Sequence, residues 1–90
     1  MVEKAGTSLE NTLTERNAQH GPFMQHAYIE VKLRYVLETH GSRLSPTQSV
    51  ALGMIFHKVA RILNGGQRHS DTWKDIAGYA ILAEQELLDE

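Results

Sequence analysis

The sequence predicts an all-α fold, a four-helix bundle-like single domain that spans residues 7–90. Apolar residues recur at helical spacing in the later segments, two segments open with strong helix-start patterns, and no stretch alternates convincingly as a β-strand does. Residues 1–6 precede the first of these patterns and are predicted to be disordered. Ninety residues with 41% hydrophobic content make one small domain with a limited core, which favours a homodimer.

The first two predicted helices lie on either side of a predicted turn at Gly21–Pro22. The first begins at residue 7 or 8, where Thr7–Glu10 has the form of a capping box, and it ends before the proline. The second runs from about Phe23 to His40 and is closed by Gly41, a residue favoured just beyond a helix end. Its apolar residues cover much of its circumference, which makes it a candidate central helix or dimer surface.

The third and fourth predicted helices have clear starts. Ser45–Gln48 supplies an N-cap serine, a proline at the first helical position and a glutamine at the third, and Asn64–Gly66 stops the third helix. The fourth begins at Ser70 or Asp71 and continues towards residue 90. Its last turn is acidic, which is unfavourable at the negative end of a helix dipole, so we expect this end to fray.

The composition argues against several classes of protein. A net charge of −2 does not fit binding to nucleic acid through bulk electrostatics, for which basic residues cluster on one face. The chain has no cysteine, so any metal must be held by oxygen or imidazole. The start lacks the apolar stretch of a signal peptide, and the longest apolar run, Val50–Phe56, is too short to span a membrane. We therefore expect a soluble, cytoplasmic protein with no membrane partner.

A charge cluster, defined as Lys58, Arg61, Asp71 and Asp75, is the strongest candidate site. Its two cations lie on one flank of the third helix, beside the apolar stripe, and its two carboxylates lie one turn apart on the fourth helix. The short connection between these helices brings the two halves towards each other. The carboxylates suit a hard cation and the cations suit phosphate. The same four residues also fit a set of salt bridges that fixes the helix pair, and the sequence leaves both interpretations open.

Gly78 and Tyr79 share the flank of the fourth helix that carries the carboxylates. A mid-helix glycine costs about 1 kcal/mol relative to alanine. Its presence predicts that another backbone or a ligand approaches too closely for a Cβ atom, with close helix packing as the simpler explanation.

The five histidines do not follow a metal-ligand pattern. They lack an HExxH motif and fall in separate segments, which argues against a histidine zinc site. His20 stands beside the predicted turn, where its ring contacts either a backbone carbonyl or a ligand.

Three stretches carry a resemblance to known proteins. ERNAQHGPF at residues 15–23, HKVARIL at residues 57–63 and HSDTWKDIAGYAILAE at residues 69–84 resemble a family of small phage and prophage proteins of uncharacterised role. The last stretch is also similar to the second metal-binding helix of MazG-like nucleotide pyrophosphatases. These all-α enzymes cleave nucleoside triphosphates to the monophosphate and pyrophosphate.

The MazG-like resemblance implies two acidic pairs, E-x-x-E and E-x-x-D, that hold Mg²⁺ against a triphosphate. Asp75 matches the aspartate of the second pair, and Asp71 stands in for its partner from four residues before. The third helix contributes cations where the first pair is expected. A further carboxylate would have to come from one of three residues: Glu15, Glu30 or Glu38.

The resemblance therefore implies a phage-type MazG-like protein that binds a nucleotide or another phosphate compound in the host cytoplasm. Mg²⁺-dependent pyrophosphohydrolysis of a nucleoside triphosphate is the candidate reaction, with Asp71 and Asp75 as metal ligands and Lys58 as a further catalytic candidate. The expected contacts with the substrate come from five residues: Arg61, Glu15, Arg16, His20 and Tyr79. The departures from the acidic motif leave catalysis open.

The alternative is a non-enzymatic helical protein that binds a host or phage protein partner. In that interpretation the charge cluster only locks the third helix to the fourth. Substitutions in the cluster would then lower thermal stability without affecting any small ligand.

Overall fold

All the regular secondary structure in the described part of the protein is helical. A computed structural model describes residue 11 and residues 22–90, and these contain no β-strand. Helix α1 spans Phe23–His40, α2 spans Pro46–Arg61, a π-helical turn follows at Ile62–Gly66, and α3 spans Ser70–Leu88. The predicted all-α class is thus confirmed for these residues. The predicted disordered start, nearly all of the first predicted helix, and Glu15, Arg16 and His20 lie outside the described residues.

Helix α1 ends where the sequence predicts, but the reason for its glycine is different. Gly41 is the C-cap residue itself, with φ −92° and ψ 14°. It does not adopt the left-handed conformation that is common for a glycine one position beyond the C-cap. A Cβ atom at Gly41 would lie 2.4 Å from the carbonyl oxygen of Leu37. Glycine is therefore favoured here because the chain turns back closely over the last turn of α1.

The start of α2 confirms the capping box. The Ser45 hydroxyl accepts a hydrogen bond from the amide of Gln48 at 3.1 Å, and the Gln48 side chain accepts one from the amide of Ser45 at 3.0 Å. The same hydroxyl donates to Glu86 Oε2 at 2.9 Å. Because Glu86 lies near the end of α3, this contact sets α2 and α3 antiparallel.

The other end of α2 closes through the π-helical turn. Gly65 has φ 106°, a left-handed conformation that only glycine adopts without strain, so the predicted stop at Asn64–Gly66 is confirmed. The side-chain amide of buried Asn64 donates to the carbonyl oxygen of Pro22 at 2.8 Å. This bond ties the end of α2 to the start of α1, which makes these two helices antiparallel as well.

Among the described helices α2 is the central one, because it packs against both α1 and α3. The sequence predicts the helix at residues 23–40 as a candidate central helix or dimer surface, and among the described helices the central position belongs to α2 instead. The core along α2 is thin: Ala51 and Ala60 are the buried hydrophobic residues in the described part. None of the described helices combines the length and the apolar character that spanning a bilayer requires.

Gly78 does not mark a close approach within the described part of the chain. A Cβ atom built on it would meet no atom within 4 Å, and the residue is exposed. The expectation that another backbone or a helix packs closely here is therefore wrong for the described residues.

The double role of Ser45 predicts a measurable loss of stability when its hydroxyl is removed. Replacing an N-cap serine with alanine costs about 1 kcal/mol, and the bond to Glu86 adds to this. We expect Ser45→Ala to lower the free energy of unfolding by about 1–2 kcal/mol in urea titrations. Ser45→Thr, which keeps the hydroxyl, should recover most of the loss.

Ser49 offers the matched control. It is an exposed serine in the first turn of the same helix, so Ser49→Ala should leave stability unchanged or raise it slightly. Equal losses for Ser45→Ala and Ser49→Ala would show that the cap does not stabilise the domain.

Candidate functional site

The charge cluster brings one cation and one carboxylate into direct contact. Lys58 Nζ of α2 lies 3.0 Å from Asp75 Oδ2 of α3. The Lys58 side chain is only 14% exposed, whereas that of Asp75 is 49% exposed. The lysine therefore extends along the α2–α3 interface and reaches an ion partner at its edge.

The other two members of the charge cluster are not joined in this way. Arg61 lies one turn after Lys58 on α2, and Asp71 lies one turn before Asp75 on α3. Neither takes part in an ion pair with another described residue. Asp71 is exposed in the first turn of α3, where a carboxylate is favoured by the helix dipole. One cation and one carboxylate thus remain available for a ligand.

Tyr79 lines a cavity on α3. Its half-buried side chain lines an apolar cavity of about 420 Å³ at the start of α2, together with Thr47, Val50 and Leu82. Tyr79 lies one turn after Asp75 on α3, and its contribution to a site with Lys58 and Asp75 stays a prediction.

The predicted Mg²⁺ ligands do not gather a third carboxylate in the described part of the chain. Asp71 and Asp75 belong to no group of three metal-ligating side chains there. Of the proposed further carboxylates, Glu38 is exposed on α1, and Glu30 belongs to a different group between α1 and α2.

That group, which we call the histidine–carboxylate cluster, consists of His26, Glu30 and His57. His26 and Glu30 lie one turn apart on α1, and His57 faces them from α2. The imidazole Nε2 of His26 lies 2.7 Å from Glu30 Oε1, and Nδ1 of His57 lies 2.6 Å from the same oxygen. Because a carboxylate oxygen accepts hydrogen bonds, both rings donate to it. The cluster joins α1 to α2 through a single oxygen atom.

Neighbouring side chains hold this cluster in place. Arg34 Nη2 donates to the other carboxylate oxygen of Glu30 at 2.8 Å. The Phe23 ring stacks on buried His26 with centroids 6.1 Å apart, and the His26 and His57 rings meet edge to face at 4.9 Å. An open cavity of about 320 Å³ is lined by all of these residues. The cluster is therefore ordered by packing and remains accessible from one side.

The surroundings of Glu30 change its acidity. Burial raises the pKa of the carboxyl group, but the hydrogen bonds from His26 and His57, the electrostatic attraction of His57 and the hydrogen bond from Arg34 lower it by more. As a result the pKa of Glu30 lies below its ordinary value of 4.5. The carboxylate is thus held in its charged form, as an acceptor or as a ligand.

Two imidazoles and one carboxylate are also a set of metal ligands, and sequence patterns alone did not identify them. One signal was present, since His26 and Glu30 are four residues apart in HAYIE and therefore share a helix face. His57 joins them only because α1 and α2 are antiparallel and in this register. No local motif contains that information.

The lowered pKa of Glu30 predicts how stability responds to acid. A carboxyl group whose pKa is depressed in the folded state adds stability above its unfolded pKa and loses this contribution as the pH falls through the folded value. We expect the free energy of unfolding of the wild type to fall as the pH drops below about 4.5. Glu30→Gln should be less stable at pH 7 and show a weaker fall, as measured by urea unfolding between pH 7 and pH 3.

Glu38→Gln is the control for this titration. Glu38 is an exposed carboxylate on the same helix and forms no ion pair with a described residue. Its variant should follow the wild-type pH profile, and a Glu30→Gln profile parallel to the wild type would rule out this role for Glu30.

Comparison with known proteins places the chain in a family. A search of curated proteins and a search of solved structures gave no match. A family model described as "Domain of unknown function (DUF6378)" matches residues 6–87, which include both clusters. The match covers nearly the whole chain, and this protein therefore belongs to the DUF6378 family.

Proposed function

We propose that this protein is a phage-type MazG-like protein that binds a nucleotide or another phosphate compound at the charge cluster. The observation that carries the proposal is the contact of Lys58 with Asp75 across α2 and α3, with Arg61 and Asp71 one turn away and not ion-paired within the described residues. Cations and carboxylates together at one helix interface suit a phosphate ligand that arrives with a divalent cation. In this proposal the predicted first helix completes a four-helix, MazG-like bundle in the host cytoplasm.

The cations have separate roles in this proposal. Arg61 has no described ion partner to give up, so it binds phosphate oxygens at little cost. Lys58 is shielded from water, which strengthens its interaction with any anion that reaches it. On binding, Lys58 exchanges part of its contact with Asp75 for a phosphate oxygen, and the carboxylate becomes available to a cation.

The hydrolytic form of the proposal rests on Asp71 and Asp75. Two carboxylates one turn apart supply only some of the oxygen ligands that a hard cation needs. One oxygen of Asp75 faces Lys58, and no third carboxylate of the described residues joins the pair. A bound Mg²⁺ would neutralise negative charge on the phosphate groups. Lys58 and Arg61 would orient the phosphate chain for attack at the α-phosphorus. Binding is therefore the primary proposal, and pyrophosphohydrolysis is its extension.

A second candidate function is the binding of protein, either a second copy of this chain or a host or phage partner. An exposed stripe on α1 supports this candidate. It consists of four residues spaced four, three and four positions apart: Met24, Tyr28, Val31 and Tyr35. These side chains are 60–79% exposed, and the first three line an open cavity of about 470 Å³. Apolar residues in this spacing form the seam along which helices pair. We propose a homodimer through this stripe as the first form of this candidate.

Arg61 separates the phosphate proposal from a purely structural charge cluster. Loss of a charged hydrogen-bonding partner costs about 1.5–3 kcal/mol, or roughly 10–150-fold in affinity. We expect Arg61→Gln to weaken binding of a nucleoside triphosphate with Mg²⁺ by at least about tenfold in calorimetric titrations, without changing the melting temperature. Pyrophosphate release, measured on the same samples, tests the hydrolytic extension.

Three other variants complete this experiment. Arg43→Gln removes an exposed cation between α1 and α2 and should leave binding unchanged. If the charge cluster serves only to hold α2 against α3, Lys58→Gln and Asp75→Asn will lower the melting temperature to a similar extent, and no triphosphate will bind the wild type. That result would refute the phosphate proposal and favour the protein-binding candidate.

The α1 stripe makes its own prediction. A charge placed in an apolar interface is costly, whereas the same charge on an exposed surface is nearly neutral, within about 0.5 kcal/mol. We expect the wild type to sediment as a dimer and Val31→Glu to sediment as a folded monomer. Leu88→Glu, at a leucine that is also largely exposed at the end of α3, should remain dimeric. A monomeric wild type would contradict the homodimer and leave a different protein as the partner.

A further inference from the structure

We propose that the histidine–carboxylate cluster binds one first-row transition-metal ion of the zinc class at the α1–α2 interface. The ligands are Nε2 of His26, Oε1 of Glu30 and Nδ1 of His57, which all lie within 4.8 Å of one another. This site shares no residue with the charge cluster, and it does not depend on phosphate binding there.

Both kinds of ligand separation must adjust to accept an ion, since the two ligating nitrogens, which lie within 4.8 Å of each other, must reach a separation of about 3.3 Å. In a tetrahedral zinc site with bonds of roughly 2.0–2.1 Å, ligand atoms lie about 3.3 Å apart. Here the two nitrogen–oxygen distances are 2.7 and 2.6 Å, the lengths of hydrogen bonds. Each distance must therefore open by roughly 0.6–0.7 Å, and the proton that each ring now donates moves to its other ring nitrogen so that the freed lone pair can bind the metal. The His57 side chain is 31% exposed and has room to move.

The ligands are already oriented by residues that do not touch the ion. Arg34 occupies Oε2 of Glu30, which leaves Oε1 free to act as a single-oxygen ligand, and Phe23 stacks on the His26 ring. Outer contacts of this kind fix ligand orientation in metal sites. The positive charge of Arg34 opposes a cation, but this side chain is 59% exposed, so solvent and salt weaken the repulsion.

The ligand chemistry selects the class of metal. Two imidazoles and one carboxylate suit Zn²⁺, Co²⁺, Ni²⁺ or Fe²⁺, whereas Mg²⁺ and Ca²⁺ require oxygen ligands. Three protein ligands leave one tetrahedral position for a water molecule or a substrate atom, as in catalytic rather than structural zinc sites. The cavity of about 320 Å³ beside the three ligands gives that position access to solvent.

Cobalt provides the direct test, because Co²⁺ substitutes for zinc and absorbs visible light according to its coordination. We expect the wild type to bind one equivalent of Co²⁺ with the absorption of a four- or five-coordinate ion, and one equivalent of Zn²⁺ to displace it. Loss of an outer-shell contact costs roughly 10–100-fold in metal affinity. His57→Gln and Glu30→Gln each remove a ligand, so they should weaken binding by at least about 100-fold.

His40→Gln is the matched control, because His40 is exposed on the same helix α1 and lies outside the cluster. This variant should bind Co²⁺ like the wild type. Circular dichroism identifies any variant that fails to fold. In that event the nitrogen resonances of the wild-type histidines decide the question without a substitution. Zinc should shift the ring nitrogens of His26 and His57 and leave those of the other histidines in place.

Three outcomes would overturn the proposal. The first is that the wild type binds neither Co²⁺ nor Zn²⁺ at submillimolar concentration. The second is that binding survives in folded His57→Gln and Glu30→Gln, and the third is that zinc shifts the nitrogens of histidines outside the cluster. The cluster would then be a hydrogen-bonded link between α1 and α2 only.

Discussion

The Glu30 carboxylate is the constraint on which the α1–α2 interface depends. A carboxylate that is largely shielded from water costs free energy unless donors surround it, and both oxygens of Glu30 are satisfied by side chains of α1 and α2. His57 is the donor supplied by α2. Helix α1 cannot rotate or slide along α2 without leaving this charge short of a partner. Such a polar contact fixes the helix register where few apolar residues are buried, as is the case here.

Helix α2 links this constraint to the charge cluster. His57 and Lys58 are consecutive residues, and consecutive side chains of an α-helix point about 100° apart. One of them therefore faces α1 and reaches Glu30, while the other faces α3 and reaches Asp75. The two clusters occupy neighbouring flanks of one helix. Any shift of α2 that favours one of them also moves the other.

The features that the sequence predicts correctly are those encoded in neighbouring residues. The capping box at Ser45–Gln48 and the stop at Asn64–Gly66 depend on local backbone chemistry, and the approach of Lys58 to Asp75 follows from the short connection between two helices. The histidine–carboxylate cluster could not be predicted in this way, because Glu30 and His57 are far apart in the chain and meet only through the antiparallel register of α1 and α2. The same holds for the central position of α2, since apolar content alone favoured the helix at residues 23–40.

A thin core makes ligand binding and folding strongly linked. A ligand that binds only the native state adds about 2.7 kcal/mol of stability when its concentration is a hundred times its dissociation constant. This is a large share of the stability of a small domain, which is of the order of 5 kcal/mol. An ion held by His26, Glu30 and His57 would fix α2 against α1, and it would thereby restrict the motion of Lys58 relative to α3. A phosphate ligand at the charge cluster would then lose less conformational entropy on binding, so occupation of one cluster would favour occupation of the other. Such coupling would act through the helix that both clusters share and would require no change of shape.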